Sequence, residues 1–249
     1  MKRPAKSNLF AILSGVAIIT IVVVLLYHIV YGHIITGNAC QKNKKEGIDK
    51  QWHEYVDVIY YINLDEREDQ KTRVLEEMRK MVVPENKIVR VPGVKKRDRE
   101  EWGHSLSHMI VMEYFLDTSH NNCIVFEDNF VFQQDLSTVN KMFAEVFQTA
   151  QNFDVIMLSA KDIDAKPSNH ACLKKVNSAG GVSGYMVNRY YAQPLMQNLQ
   201  DGAKTIEKSY EAGKSDALQG PFLVDQYWKR LQPQSNWFVF SPEIGKTGQ

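Results

Sequence analysis

The chain has 249 residues, with 30 basic and 29 acidic side chains for a formal net charge of +1, and 44% hydrophobic residues. No basic run extends past three residues, so the electrostatic footprint that a nucleic-acid backbone requires is missing. Three cysteines, Cys40, Cys123 and Cys172, cannot all pair within one chain, and their spacings match no zinc motif.

Residues 1–8 form a short tail carrying Lys2, Arg3 and Lys6. Leu9 to Val30 then runs 22 residues without a formal charge. As a helix that stretch is roughly 33 Å long, enough to cross a bilayer. Residues 9–31 read as an uncleaved transmembrane signal anchor. The preceding basic residues favour a cytoplasmic amino end, which gives a single-pass type II protein with its main domain lumenal or extracytoplasmic. A cleaved signal peptide is the rival, but its apolar core is shorter and no small-x-small cleavage site follows. Lys42, Lys44 and Lys45 weaken the charge bias and leave the opposite orientation open. Residues 32–53 are polar, aperiodic and read as a stem. Residues 54–249 are one domain's worth of chain, enough to bury a core. Setting aside the three basic residues before position 32, 27 basic face 29 acidic side chains.

Within that domain β and α patterns alternate. Val56 to Leu64 predicts a strand. Asp65 to Met81 predicts a helix with Val74, Leu75, Met78 and Met81 on one stripe. Ile88 to Val91 is a short strand closed by Pro92 and Gly93. Arg99 to Leu116 is a helix with Leu106, Met109, Ile110 and Phe115 facing inward. Residues 121–132 read NNCIVFEDNFVF. This apolar, β-branched and aromatic run is too short for a core helix and predicts a buried strand that delivers Glu127, Asp128 and Asn129 to its end. Cys123 there is a small core hydrophobe. Leu136 to Ala150 follows as a helix, Asp154 to Leu158 and Tyr185 to Val187 as strands, Tyr190 to Leu199 and Phe222 to Leu231 as helices, and Trp237 to Phe240 as a last strand. Such alternation argues for an α/β domain with a mostly parallel sheet covered on both faces.

Five segments occur in a distinctive order: INLDERED (Ile62 to Asp69), GHSLSHM (Gly103 to Met109), VFEDN (Val125 to Asn129), SGYMVNR (Ser183 to Arg189) and VDQYW (Val224 to Trp228). Together they resemble glycosyltransferase family 25, which includes lipopolysaccharide-modifying and collagen galactosyltransferases, over about residues 56–245. The resemblance implies a GT-A-like fold, a UDP-sugar donor, a hydroxyl-bearing acceptor and Mn²⁺. Two departures stand out. The family's acidic triplet is commonly Glu-Asp-Asp, whereas Asn129 holds the third place here and offers a hard cation an oxygen without charge. Glu66 and Gln70 occupy positions where the family often has basic residues, leaving Arg67 to approach a diphosphate.

The resemblance implies that Asn63 and Asp65 contact the nucleoside and Arg67 the diphosphate; the plainer reading is an Asx turn before a helix start. His104 and His108 lie four apart on one helical face. Zinc is conceivable there, although the intervening glutamate of a metalloprotease helix is missing. The resemblance assigns Ser107 and His108 to the donor-site lining. Along a strand, Glu127 and Asn129 point one way and Asp128 the other, so they meet one ligand only if the chain turns. Asp128 and Asn129 are the metal candidates, with Glu127 contacting the sugar or a partner of the metal ligands; the alternative is a solvated acidic turn. Asp225 sits in the apolar stretch PFLVDQYW, where an unpaired carboxylate is costly to bury, and is the candidate general base; the alternative is a helix N-cap exposed to water. The glycine-rich Ser178 to Gly184 either lets backbone approach a ligand or makes a flexible turn. A hexosyltransferase, a binding module on the same scaffold and a membrane-tethered structural protein are the three functional readings.

Overall fold

The computed structural model describes residues 50–149, 152–213 and 220–248. The expected tail, membrane anchor and nearly all of the stem lie outside the described residues. Among the described residues no helix is long and apolar enough to cross a membrane.

The order is β1 (Val58–Asn63), α1 (Glu68–Lys80), β2 (Ile88–Pro92), α2 (Glu100–Leu116), β3 (Asn122–Glu127), β4 (Phe130–Phe132), α3 (Leu136–Gln148), β5 (Val155–Met157), β6 (Lys161–Pro167), β7 (Leu173–Gly180), β8 (Gly184–Asn188), α4 (Arg189–Glu211), α5 (Val224–Tyr227), a 3-10 segment (Trp228–Gln234), β9 (Trp237–Phe240) and β10 (Gly245–Thr247). Eight strands form one sheet in the order β2-β1-β3-β8-β5-β9-β7-β6, and β4 pairs with β10 in a separate ribbon. The parallel character holds for β2-β1-β3 and for β5-β9. β8 runs antiparallel to both β3 and β5, and β7 to both β6 and β9, so the sheet is mixed.

Every side chain of β1 is buried, which is why VIYYIN reads as a continuous apolar run rather than an alternating one. Val58, Tyr60 and Ile62 meet Val111, Met112 and Phe115 of α2 and Ala192, Leu195 and Leu199 of α4 in a single cluster. Ile59 and Tyr61 alternate to the opposite face, toward the side where Val74 and Met78 of α1 are buried. α1, which follows β1, and α2, which follows β2, lie on opposite faces, so the loops leaving β1 and β2 part company at their carboxyl ends, next to the end of β3. In open α/β sheets that divergence makes the ligand crevice.

Several expectations shift. α2 packs against both the sheet and α4; Val111 and Met112 are fully buried while Leu106, Met109 and Ile110 are half-buried. The expected helix over Phe222 to Leu231 is the short α5 followed by the 3-10 segment, where Trp228 is buried edge-on against Tyr185 and Trp237. α3 ends at Gln148, and the expected end at Ala150 lies outside the described residues. The domain also begins before residue 54. Trp52 is fully buried in a 3-10 turn (Trp52–Tyr55), its indole N–H donating to the Met81 carbonyl at 3.1 Å and its ring against Phe132 and Phe143.

Candidate functional site

The carboxyl ends of β1 and β3 are joined by one side chain. Asn63, 1% exposed, donates through Nδ2 to Asp128 Oδ2 and to the Arg67 carbonyl, both at 2.9 Å. Arg90 on neighbouring β2 closes the junction. Its Nε donates to Asn63 Oδ1 at 3.3 Å, and its Nη2 donates to the Asn63 carbonyl at 3.1 Å and to Asp65 Oδ1 at 2.5 Å. The Asn63 amide is therefore engaged by the protein on both sides, and it acts as the brace of the crevice. Asp65 is exposed and held by Arg90. Arg67 is exposed at the amino end of α1, and its charge acts on Asp128.

Asp128 and Asn129 form the two-residue turn between β3 and β4. Asp128 is 7% exposed. Burial pushes its carboxyl above the ordinary aspartate range, and the Asn63 hydrogen bond and the Arg67 charge offset this only in part. Asn129 Oδ1 is buried without a hydrogen-bond partner. Asp128 and Asn129 each carry an oxygen of the kind that suits a hard cation such as Mn²⁺.

Glu127 turns the other way. Its Oε1 receives His104 Nε2 in a short contact and lies 3.4 Å from His108 Nε2. The two imidazole Nε2 atoms are 3.3 Å apart, and His108 Nδ1 pairs with the Tyr185 hydroxyl at 2.8 Å. Burial alone would raise the Glu127 carboxyl, but contact with the two histidines outweighs it and holds Glu127 well below the usual carboxylate range. Burial disfavours a charged His104, yet Glu127, with help from Asp225 and Glu101, lifts its pKa above the ordinary value. His108 is completely buried, which pulls its pKa down and keeps it neutral. Burial also drives the Tyr185 phenol far up, so it stays protonated as a hydrogen-bond partner. The expected single acidic cluster is thus split in two by strand alternation: Glu127 faces α2, and Asp128 faces Asn63.

Ser107 does not present a free hydroxyl. It is buried, donates to the Gly103 carbonyl at 2.7 Å and accepts from the Val94 N–H at 2.8 Å, tying the loop before α2 to the helix. Asp225 is half-buried in the first turn of α5, not isolated among apolar neighbours. Its Oδ2 accepts from the Gly181 N–H at 3.3 Å and from the Gln226 amide at 3.2 Å, and its charge reaches His104. The glycine-rich segment is mainly structural. Gly181 takes a positive φ of 87°, and a Cβ on Gly184 would overlap the Phe130 ring. Beyond Gly181 lies a cavity of about 570 Å³ lined by Ser159, Ala160, Lys161, Lys246 and Thr247. Ser183 is buried at its edge, bonded to Ser159 Oγ at 2.6 Å and to Thr247 Oγ1 at 3.2 Å. Arg90 is the site residue that the sequence does not single out. It sits in the short stretch IVRVP, whose pattern does not say what the side chain meets.

No family model matches the chain, and no curated protein does either. Among solved structures, the chain is similar to A197 from STIV, with a TM-score of 0.40 and 11% identity over 74% of this chain and 81% of that one. It is also similar to mannose-1-phosphate geranyltransferase from Thermus thermophilus, with a TM-score of 0.42 and 9% identity over 75% of this chain and 73% of that one. Likenesses this loose carry no argument about activity.

Proposed function

We propose that the chain is a glycosyltransferase that moves a hexose, galactose or glucose, from a UDP-sugar to a hydroxyl on a glycan, lipopolysaccharide or protein. The anchor through residues 9–31 and the type II orientation belong to this proposal and rest on the sequence. The observation that carries the reading is the junction of Asn63 and Asp128 across the carboxyl ends of two parallel strands, with Arg67 exposed beside it. Asp128 and Asn129 would hold Mn²⁺, which when bound offsets charge on the departing diphosphate. Arg67 would pair with the diphosphate, and Asp65, with its carboxylate fixed by Arg90, would meet the nucleoside. Asp225 is the candidate base. Its carboxylate takes the proton from the acceptor hydroxyl as that oxygen bonds to the anomeric carbon, and the bond to UDP breaks with its electron pair leaving on the diphosphate.

The test is release of UDP by the purified full chain supplied with UDP-galactose or UDP-glucose, Mn²⁺ and a panel of hydroxyl acceptors. Release that depends on acceptor and metal is the expected result. A folded chain that releases no UDP from either donor refutes the transfer. A second reading, a carbohydrate- or partner-binding module on the same scaffold, draws support from Asn129 in place of a carboxylate and from the fully engaged Asn63 amide. Calorimetry separates the two, because a binding module has no metal-dependent affinity for UDP.

A further inference from the structure

The contact of His104, His108 and Glu127 is unusual in what converges on it. Two imidazole nitrogens and a carboxylate oxygen all lie within 4.8 Å of one another. Without a metal, imidazole N–H protons bridge to the Glu127 carboxylate; with both Nε2 atoms deprotonated, the three become lone-pair donors aimed at one point. The spacing fits a metal. A tetrahedral ion with bonds of about 2.0–2.1 Å sets its ligand atoms roughly 3.3 Å apart. His108 Nε2 lies 3.3 Å from His104 Nε2 and 3.4 Å from Glu127 Oε1. The remaining edge, His104 to Glu127, is shorter and has to open, which the His104 ring can do because its side chain is 41% exposed.

The surroundings support the same assignment. His108 is completely buried and its Nδ1 is paired with Tyr185, so Nε2 is left to face the cluster. A metal-bound histidine characteristically has its other ring nitrogen fixed by such a partner. The ligands come from rigid elements: the two histidines from successive turns of α2, the glutamate from the end of β3. Glu127 is 15% and His108 0% exposed, so the opening lies on the His104 side. Three protein ligands with one open side describe a reactive metal centre rather than a closed structural one.

We infer that His104, His108 and Glu127 bind a divalent transition-metal ion of the zinc type, at a site distinct from the Asp128–Asn129 turn. Imidazole nitrogens select zinc, cobalt or nickel over the harder Mn²⁺, which the all-oxygen turn suits better. The inference does not require the transfer reaction, and its test contains no nucleotide.

The full chain, stripped with chelator, is titrated with Zn²⁺ by calorimetry and with Co²⁺ by visible absorption, and bound metal is counted by mass spectrometry. One ion per chain is expected, with a Co²⁺ band characteristic of four- or five-fold coordination. His104→Gln and Glu127→Gln each weaken Zn²⁺ binding by at least about 100-fold, a loss that removing one ligand of three entails. Both retain the apo chain's circular dichroism, since the His104 side chain is 41% exposed and the second change is isosteric. Asp128→Asn leaves Zn²⁺ binding unchanged. Zn²⁺ held equally by the parent chain and both glutamine variants, or no stoichiometric Zn²⁺ or Co²⁺ on the folded parent chain, overturns the assignment. Failure of UDP release with intact Zn²⁺ binding refutes the transferase reading and leaves the metal site standing.

Discussion

Asn63→Ala is the sharpest test of how the crevice is built. The change removes a bond to the Asp128 carboxylate and one to the Arg67 carbonyl, both at 2.9 Å from a side chain 1% exposed. A buried hydrogen bond to a charged group contributes about 1.5–3 kcal/mol and one to a neutral carbonyl about 1 kcal/mol. The 3.3 Å contact from Arg90 Nε is long and adds little. The expected destabilisation is therefore about 2.5–4 kcal/mol, which for a domain of this size lowers Tm by roughly 5–16 °C. Asp128→Asn is the contrasting change. It keeps the shape and an oxygen for Asn63 to donate to, and it removes a charge whose burial is unfavourable, as the raised pKa of Asp128 records. Its stability stays within about 1 kcal/mol of the parent. Urea unfolding followed by circular dichroism reads both. An Asn63→Ala variant within about 0.5 kcal/mol of the parent would refute the reasoning, because surface substitutions without structural consequence fall in that range. So would an Asp128→Asn variant as damaged as Asn63→Ala.

Two further outcomes are expected. Phe130 is pressed between Gly184 and Gly245; a Cβ on either would overlap its ring, and one on Gly245 would also come within 2.8 Å of the Val131 carbonyl. Gly245→Ala should then cost about 1–3 kcal/mol in urea unfolding, and Phe130→Leu in the same chain should recover part of that loss; no recovery would show that the strain lies in the backbone. Asp225→Asn should lower the turnover rate about 100-fold or more while the Kd for UDP with Mn²⁺, measured by calorimetry, holds within about twofold; unchanged turnover removes Asp225 from the role of base.

The parts of the fold legible in the sequence are those whose burial is local. NNCIVFEDNFVF yields β3, because an apolar, β-branched and aromatic run this short has few other solutions, whereas β4 (Phe130–Phe132), a second strand after the Asp128–Asn129 turn, is not read from it. Trp237 to Phe240 is legible to the residue for the same reason. β6 and β7 are not. KDIDAKP is an exposed edge strand with a single large apolar residue, held by its pairing to β7 rather than by an apolar face. The inward side of α2 is equally hard to read, because a helix packed against both the sheet and α4 has no single apolar stripe to find. The candidate site follows the same rule. The spacing of His104 and His108 is visible in the sequence, but their carboxylate partner comes from β3, and only the parallel alignment of β1 with β3 beneath α2 brings it there. Conversely, the pairing of Asn63 with Asp128 joins residues to which the sequence gives different tasks.

The buried indole of Trp52 bears on how a shortened, soluble version should be cut. A chain started at residue 54 would leave the Phe132 and Phe143 rings facing water and the Met81 carbonyl without its donor, an opening that invites aggregation. Starting at Lys50 keeps the plug in place, along with the Asn140 amide oxygen that accepts from the Trp52 backbone N–H at 2.8 Å.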